Sequence, residues 1–243
     1  MIYNHSSEAM HEVENESVHL VVTSPPYPMI AKWDELELFV KGREEFIIDK
    51  IDFGAQHSRL LRIWEECKRV LVEGGIACIN IGDATRSINK EFCCYPNYAK
   101  ITMTMFEMGF TPLVPIIWKK ISNRPNAFLG SGMLPSNGYI AQDCEYIGIY
   151  RKGGKRKFKP HDLARYASEF TKEQRDVWFQ QVWSIGGAMG AKGTSAFPKE
   201  VPYRLVQMFS CLEEVVLDPF SGTGTTSRVC EELERKFIGY EIK

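Results

Sequence analysis

Two short stretches of this chain contain residues whose types and spacing could do chemistry. The first reads Thr-Ser-Pro-Pro-Tyr at 23–27 and directly follows the apolar run 18–22. Two consecutive prolines fix two φ angles and remove two backbone donors, and a residue that precedes proline is driven to an extended conformation. We therefore expect Ser24 to project its hydroxyl in one defined direction, beside carbonyls that are free to accept hydrogen bonds. A rigid turn with no binding role is the alternative.

The second stretch, Asp-Pro-Phe-Ser-Gly-Thr-Gly-Thr at 218–225, follows a predicted buried strand and leads into a predicted helix. Its glycines let the backbone approach a ligand, and the helix N-terminus attracts anionic groups. Glu241 ends the next strand, at the spacing where nucleotide-binding α/β folds place a ribose ligand. The G-x-G-x-x-G pattern and the Walker lysine are absent, which argues against a dinucleotide or ATP phosphate site and leaves a nucleoside such as S-adenosylmethionine. A plain strand–helix connection is the alternative.

Strands alternate with helices along the chain, which predicts an α/β fold with a mainly parallel sheet. The first helix is expected to end at Gly74-Gly75. Residues 120–185 fit the alternation least and contain a basic run, so an inserted lobe is expected there. The predicted strands are 18–22, 76–81, 111–118, 144–151, 214–217 and 237–242, and the predicted helices are 58–73, 98–108, 202–211 and 225–233.

Length and composition limit the class of protein. The 243 residues, 44% of them hydrophobic, suit one large domain or a domain with an inserted lobe. No apolar run approaches the roughly 18 residues of a membrane span, and the N-terminus lacks a secretory signal pattern. Seven cysteines without a CxxC pair indicate reduced thiols, and hence a cytoplasmic protein with no metal. The net charge is −1, but residues 119–175 hold twelve Lys/Arg against five Asp/Glu, which fits either a polyanion-facing lobe or a solvated surface.

TSPPY followed by DPFSGTGTT resembles the DNA amino-methyltransferases, in the circularly permuted order usually called the beta class. The resemblance covers nearly the whole chain and extends to residues 70–75, 116–119, 145–147, 197–198 and 205–206. It implies a Rossmann-like, S-adenosylmethionine-dependent methyltransferase fold with helices on both faces of the sheet. Residues 1–119 would be the catalytic half, 120–185 a small insert that recognises DNA, and 186–243 the cofactor-binding half. The permutation also implies that the first and last strands meet at one edge of the cofactor site.

The resemblance assigns catalysis to Ser24, Pro25, Pro26 and Tyr27. The Ser24 hydroxyl and the Pro25 carbonyl would accept the two hydrogens of a nucleobase amine, so that its nitrogen can attack the sulfonium methyl group directly. Tyr27 would stack on the base after it is flipped out of the duplex. Serine in the first position resembles the subgroup that acts on N4 of cytosine rather than on N6 of adenine.

For the cofactor, the resemblance implies that Asp218 holds the methionine amino end and Glu241 the ribose, while 197–198 border the adenine. Where the family often has an aspartate after its opening strand, this chain departs from the pattern with Ser6 and Ser7. The full implied set is Ser6, Thr23, Phe197, Pro198, Asp218, Phe220, Ser221, Gly222, Thr223, Gly224, Thr225 and Glu241.

Duplex DNA is the implied partner, together with a cognate restriction endonuclease. Two basic or aromatic groups could contact DNA phosphates, or could equally be a surface loop and a solvated hairpin tip. They are Lys32 and Trp33, and Arg151, Lys152, Lys155, Arg156, Lys157 and Lys159. A methyltransferase acting on RNA or on a protein amide, and a nucleic-acid-binding module without activity, are the rival functions. The order of the two motifs argues against the first, and their survival argues against the second.

Overall fold

A computed structural model describes residues 1–34, 36, 52–121, 129–130, 138–140, 142–187 and 197–242. Its helices are α1 (Phe53–Val70), α2 (Asn97–Glu107), α3 (Leu163–Ala167), α4 (Lys172–Trp178), α5 (Glu200–Phe209) and α6 (Thr225–Glu232), with a 3₁₀ turn at Ala31–Trp33. Its strands are β1 (Ile2–Tyr3), β2 (Val18–Thr23), β3 (Leu71–Ile81), β4 (Ala84–Ile88), β5 (Glu91–Tyr95), β6 (Phe110–Pro112), β7 (Ile116–Ile121), β8 (Leu129–Gly130), β9 (Gly138–Tyr139), β10 (Cys144–Lys152), β11 (Val182–Gly186), β12 (Val215–Asp218) and β13 (Lys236–Tyr240).

The central sheet has the order β1-β13-β12-β2-β3-β10-β7-β11, with β6 also paired to β10. Strand β10 is antiparallel to β3, β6 and β7, and the other pairings in this sheet are parallel. The predicted α/β fold with a mainly parallel sheet is therefore confirmed. The carboxyl ends of β2, β3, β12 and β13 meet at one edge, which is where such sheets bind ligands.

Helices cover both faces of this sheet, as predicted. One core contains Leu60 and Trp64 of α1 with Ile101 of α2, and the other contains Leu205 of α5 with Val229 of α6. Successive strand residues point to opposite faces, so β2 and β3 contribute side chains to both cores. This double burial explains why residues 76–81 read as an almost continuous apolar run.

The first and last strands lie side by side, which confirms the expectation from the permuted order. Strand β1 pairs in parallel with β13, with Ile2 opposite Gly239 and Tyr3 opposite Tyr240. Glu241 follows β13 directly, so this edge of the sheet leads into the predicted cofactor site.

Helix α1 differs from its prediction at both ends. It begins at Phe53, capped by the Asp52 carboxylate, and it ends at Val70 rather than at the glycine pair. Leu71 pairs with Val18 of β2 and already belongs to β3, and the register then shifts before Leu20 meets Ile76. Gly74 serves this irregular stretch, because its φ is +77° and a Cβ there would lie 2.4 Å from the backbone nitrogen of Arg156.

Two strands of the central sheet fall within the interval 120–185. Strand β10 pairs with β3 at its centre, and β11 pairs with β7 at the far edge. Among the described residues of the interval, α3, α4 and the separate two-stranded sheet of β8 and β9 lie outside the central sheet, and the role of the interval in DNA recognition stays a prediction. The hairpin of β4 and β5 was not predicted. No helix in the described ranges is long and apolar enough to cross a membrane.

Candidate active site

A cavity of about 650 Å³ opens at the carboxyl ends of β2, β3, β12 and β13 and brings the two sequence motifs together. Both are connections that follow a buried strand, and β2 and β12 are direct neighbours in the sheet. The predicted residues that line the cavity are Ser6, Ser24, Pro25, Pro26, Tyr27, Lys32, Trp33, Phe197, Asp218, Phe220, Ser221, Gly222, Thr223, Thr225 and Glu241.

The loop after β2 is held from below by α1 and α2. The Asn97 amide donates to the Pro28 carbonyl at 3.0 Å, and the Met29 backbone N–H donates to the Gln56 side chain at 2.7 Å. Pro25 and Pro28 are buried, while Ser24 and Tyr27 are half-buried and face the cavity. The buried prolines thus fix the backbone of the loop and hold Ser24 and Tyr27 in place at the cavity.

A chain of polar contacts runs from Ser24 into the protein. The Ser24 hydroxyl donates to Tyr27 Oη at 3.3 Å, and Tyr27 donates to Glu145 Oε2 at 2.8 Å. The Asn80 amide nitrogen donates to both Tyr27 Oη and Glu145 Oε2, at 2.8 Å each. Lys120 Nζ pairs with the other carboxylate oxygen at 2.5 Å. Burial, reinforced by the charge of Glu145, raises the pKa of Tyr27 well above its ordinary value.

Asn80 carries an unpaired buried atom. Its side chain lines the cavity, and its Oδ1 lacks a hydrogen-bond partner among the described residues. An ionised carboxylate can only accept, so the amide nitrogen must face Glu145 and the oxygen must face away from it. Buried polar atoms of this kind are rare in native proteins and mark places where a ligand or a water completes the site.

On the other side of the cavity, the carboxylate of Asp218 is buried at the end of β12. It accepts hydrogen bonds from Thr23 Oγ1 at 2.6 Å, Thr226 Oγ1 at 2.8 Å and the Phe220 backbone N–H at 3.1 Å. Burial raises the pKa of Asp218 to about 6 despite these donors. A buried carboxyl in a cavity wall is suited to a ligand that brings positive charge.

The glycine turn beside Asp218 keeps its backbone close to the cavity. Gly222 and Gly224 have φ values of +50° and +77°, which other residues adopt only with strain. The Gly222 backbone N–H donates to Glu241 Oε2 at 2.6 Å, so the turn and the acidic residue after β13 are joined. Helix α6 begins immediately after the turn, at Thr225.

Three predicted cofactor residues lie outside the cavity wall. Thr23 is buried behind it and acts through its bond to Asp218. Pro198 and Gly224 flank residues of the wall without belonging to it. Of the serines in the opening segment, Ser6 lines the cavity, and Ser7 also does so while it donates to the Pro219 carbonyl at 2.9 Å.

Sequence reasoning did not identify several wall residues as part of the site. Asn80 interrupts the apolar run of β3 one residue before its end, Trp118 and Lys120 lie on β7, and Glu145 lies near the start of β10. The only available signal was the resemblance of 116–119 and 145–147 to family motifs. Their place in the site follows from strand register, which sets Glu145 opposite Trp118 and Tyr146 opposite Ile81.

The basic run at 151–159 lies away from this cavity. Strand β10 is antiparallel to β3, so Glu145 is at the site while Arg151, six residues and about 20 Å further along β10, pairs with Ile76. Lys152 donates to the Leu71 carbonyl and pairs with Glu16 at 3.2 Å, and Arg156 pairs with Glu214 at 2.9 Å. The phosphate contacts predicted for Arg151, Lys152, Lys155, Arg156, Lys157 and Lys159 stay a prediction, for residues that lie away from the cavity. The stretch from Lys32 through His57 is predicted to be either a loop that closes over DNA or an ordinary surface loop, and of it residues 35 and 37–51 lie outside the described residues. The predicted glycine link before Phe197, at Gly186, Gly187, Gly190 and Gly193, is either a rim of the cofactor site or a linker, and of it residues 188–196 lie outside the described residues.

The chain is similar to one family model and to proteins of known name. A family model described as DNA methylase, for N6 and N4 methyltransferases, matches residues 18–243. The type II methyltransferase M.MjaI of Methanocaldococcus jannaschii is 52% identical over 254 residues, which cover 96% of this chain and 84% of the relative. M.MthZI of Methanothermobacter thermautotrophicus is 42% identical, with 99% of this chain and 72% of the relative covered.

Solved structures extend the comparison. A putative DNA modification methylase from Thermus thermophilus, solved in complex with S-adenosyl-L-methionine, superposes with a TM-score of 0.77 at 33% identity and covers 100% of this chain and 88% of its own. The PvuII DNA methyltransferase, described as cytosine-N4-specific, gives a TM-score of 0.68 at 18% identity and covers 100% and 81%. At that identity the second likeness speaks for the fold alone.

Proposed function

Because the chain belongs to the N6/N4 DNA methylase family, we propose that it transfers a methyl group from S-adenosylmethionine to the N4 amine of cytosine at a specific site in duplex DNA. Methylation of DNA with this cofactor is the activity of the family, and cytosine is the finer proposal. The observation that carries it is the single cavity that contains both Ser24 and the Asp218–Glu241 pair.

The cofactor fits the acidic side of the cavity. S-adenosylmethionine supplies an electrophilic methyl group on a sulfonium, and it also brings an ammonium group and ribose hydroxyls. Asp218 is a buried carboxyl whose raised pKa reports unfavourable charge burial, which a cationic ligand would relieve. Glu241 lies across the glycine turn, where its carboxylate can accept from hydroxyls. We assign the ammonium to Asp218 and the ribose to Glu241, with Phe197 and Phe220 as apolar walls.

The target base would enter beside Ser24. An exocyclic amine is a weak nucleophile because its lone pair is delocalised into the ring. Two acceptors, Ser24 Oγ and the Pro25 carbonyl, would bind both amine hydrogens and favour the pyramidal nitrogen that attack requires. The hydroxyl of Tyr27 is anchored to Glu145 and Asn80, so its ring would be a fixed surface on which a flipped base can stack.

Ser24 is also the residue that favours cytosine over adenine. Serine in the first position of the tetrapeptide resembles the family's subgroup that methylates N4 of cytosine. Methylation of N6 of adenine is the alternative. Lys32 and Trp33 line the cavity and remain the proposed DNA contacts. Since M.MjaI and M.MthZI are named type II methyltransferases, we also propose a partner restriction endonuclease of the same specificity.

Nucleoside analysis tests this proposal. The protein would be incubated with unmethylated duplex DNA and methyl-labelled S-adenosylmethionine, and the digested DNA would be resolved by mass spectrometry, with RNA and protein as parallel acceptors. N4-methylcytosine is the expected product. Methyladenine as the sole product would overturn the cytosine assignment, and label in RNA or protein but not in DNA would overturn the whole proposal. The Ser24→Ala variant is the blank for contaminating activity.

A further inference from the structure

Glu145 lies at the inner end of the polar chain that begins at Ser24. The chain has two links, from Ser24 to Tyr27 at 3.3 Å and from Tyr27 to Glu145 at 2.8 Å. Glu145 is 9% exposed, and its contacts come from three different strands or loops. Nothing in the methyl transfer itself requires a carboxylate at this position. The role of Glu145 must therefore lie in its effect on the hydrogen bonds between Ser24 and Tyr27.

The carboxylate fixes the direction of both hydrogen bonds. An ionised carboxylate only accepts, so the Tyr27 proton must point toward Glu145. The lone pairs of the Tyr27 oxygen are then free, and this oxygen accepts a hydrogen bond from the Ser24 hydroxyl. A hydroxyl has one proton, so Ser24 can offer only lone pairs to the cavity. Without this bias, the Ser24 hydroxyl could rotate and present its proton to an amine that needs an acceptor.

Lys120 and Asn80 hold the Glu145 carboxylate in position. Lys120 pairs with Oε1 at 2.5 Å, and Asn80 donates to Oε2 at 2.8 Å. Asn80 also donates to Tyr27 Oη at 2.8 Å, which closes a triangle around the tyrosine hydroxyl. The charged and titratable groups that face Glu145 in this cluster are therefore Lys120 and Tyr27, and neither can replace Glu145 as an acceptor for the Tyr27 proton.

We infer that Glu145 is a positioning residue that makes Ser24 a committed hydrogen-bond acceptor for the amine of the target base. This inference deepens the proposed function. It rests on that function in one respect, namely that the methyl acceptor is a nucleobase amine. It holds for cytosine N4 and for adenine N6 alike.

A glutamine at position 145 cannot reproduce these contacts. If its amide oxygen faces Tyr27 and Asn80, its amide NH₂ faces the Lys120 ammonium, and the reverse orientation sets two donors against Tyr27 and Asn80. A combined exchange can reproduce them. With Asn80→Asp and Glu145→Gln together, the new carboxylate accepts from Tyr27, while the new amide donates to that carboxylate and accepts from Lys120.

The test compares single-turnover methyl transfer in matched variants, using the full chain and a duplex that the wild-type protein methylates in the nucleoside analysis. We expect Glu145→Gln to slow transfer about 10- to 100-fold, the range for one charge-assisted hydrogen bond, with cofactor and DNA dissociation constants unchanged. Tyr27→Phe keeps the ring and should slow transfer to a similar extent, with no further loss in the double variant. The exchange variant should recover most of the rate that Glu145→Gln loses.

Glu214→Gln is the control. Glu214 is a similarly buried carboxylate that pairs with Arg156, but it lies at the amino ends of the parallel strands, away from the cavity. It should transfer at the wild-type rate. A wild-type rate in Glu145→Gln, or an exchange variant that folds but stays slow, would overturn the inference. If Glu145→Gln does not fold, Tyr27→Phe decides alone, and a wild-type rate there has the same meaning. Absence of methyl transfer by the wild-type protein would instead count against the proposed function.

Discussion

The two ends of the parallel strands use their charged groups differently. At the amino ends, Arg156 pairs with Glu214 at 2.9 Å and Lys152 with Glu16 at 3.2 Å. At the carboxyl ends, Asp218 and Glu145 lie in the wall of a cavity, and Asp218 is bound by neutral hydroxyl and amide donors. Two basic residues of 151–159, Lys152 and Arg156, are thus paired with acids at the amino ends, whereas the cavity wall contains the buried acids Asp218 and Glu145, the second of which pairs with Lys120. Strand direction marks the site in this fold better than local charge does.

Among the variants that distinguish the two ends of the strands, Ser24→Ala is expected to have the largest effect on turnover. Loss of one acceptor at the reacting amine should lower turnover about 100- to 1,000-fold, by analogy with the loss of one donor from an oxyanion hole. Cofactor affinity, measured by calorimetry, should stay nearly the same, because Ser24 lies on the base side of the cavity. A large loss of cofactor binding would mean that Ser24 has been given the wrong role.

An intermediate effect is expected for Asp218→Asn, through the pH dependence of stability. The pKa of Asp218 is raised by burial from 3.8 to about 6 in the folded protein. Between these values the folded state binds more protons than the unfolded state, so the free energy of unfolding falls as pH rises from 4 to 6. The contribution is fully present below 3.8, is lost above 6, and amounts to roughly 3 kcal/mol.

The Asp218→Asn variant should lose this slope in urea titrations at a series of pH values. It should also bind S-adenosylmethionine about tenfold more weakly above pH 6, where the wild-type carboxyl is charged and attracts the cationic ligand. Thr226→Val, which removes one donor to the same carboxylate, is the control that keeps the charge. A slope that survives in the asparagine variant would assign it to another group.

The smallest effect is expected at the amino-end surface. Replacing Lys155, Lys157 and Lys159 together by glutamine should change DNA affinity less than about twofold and leave its salt dependence unaltered, because these residues follow the end of β10 that lies away from the cavity. Lys32→Gln, at the cavity mouth, should weaken binding and reduce the slope of log affinity against log salt by about one. Equal losses of DNA affinity in the two variants would contradict the distinction between the amino and carboxyl ends of the strands.

The sequence was most informative where a function depends on neighbours along the chain. Each of the stretches 23–27 and 218–225 is contiguous, and their strand-to-turn pattern predicted both the proline loop after β2 and the glycine turn after β12. Asn80 and Glu145 are 65 positions apart and meet only because β10 pairs with β3 in one register. No local pattern encodes that register, so the polar chain behind Ser24 could not be predicted.

Local signals also failed where the tertiary structure overrode them. The glycine pair after α1 looked like a helix stop, but pairing of Leu71 with Val18 ends the helix earlier. The β4–β5 hairpin turns at Asn89 and Lys90, both with positive φ. A two-residue turn of this kind usually carries glycine in its second position, and lysine there hid the signal.

The hydrogen bond from Thr23 to Asp218 joins residues 195 positions apart. During synthesis at about 5–20 residues per second, the proline loop after β2 therefore waits about 10 to 40 s on the ribosome before its partner exists. Throughout that time β2 lacks its neighbour β12, and one edge of the buried strand pair β2–β3 stays uncovered in the nascent chain. A chain of this permuted order should accordingly depend on ribosome-associated chaperones more than one in which the two motifs are translated together.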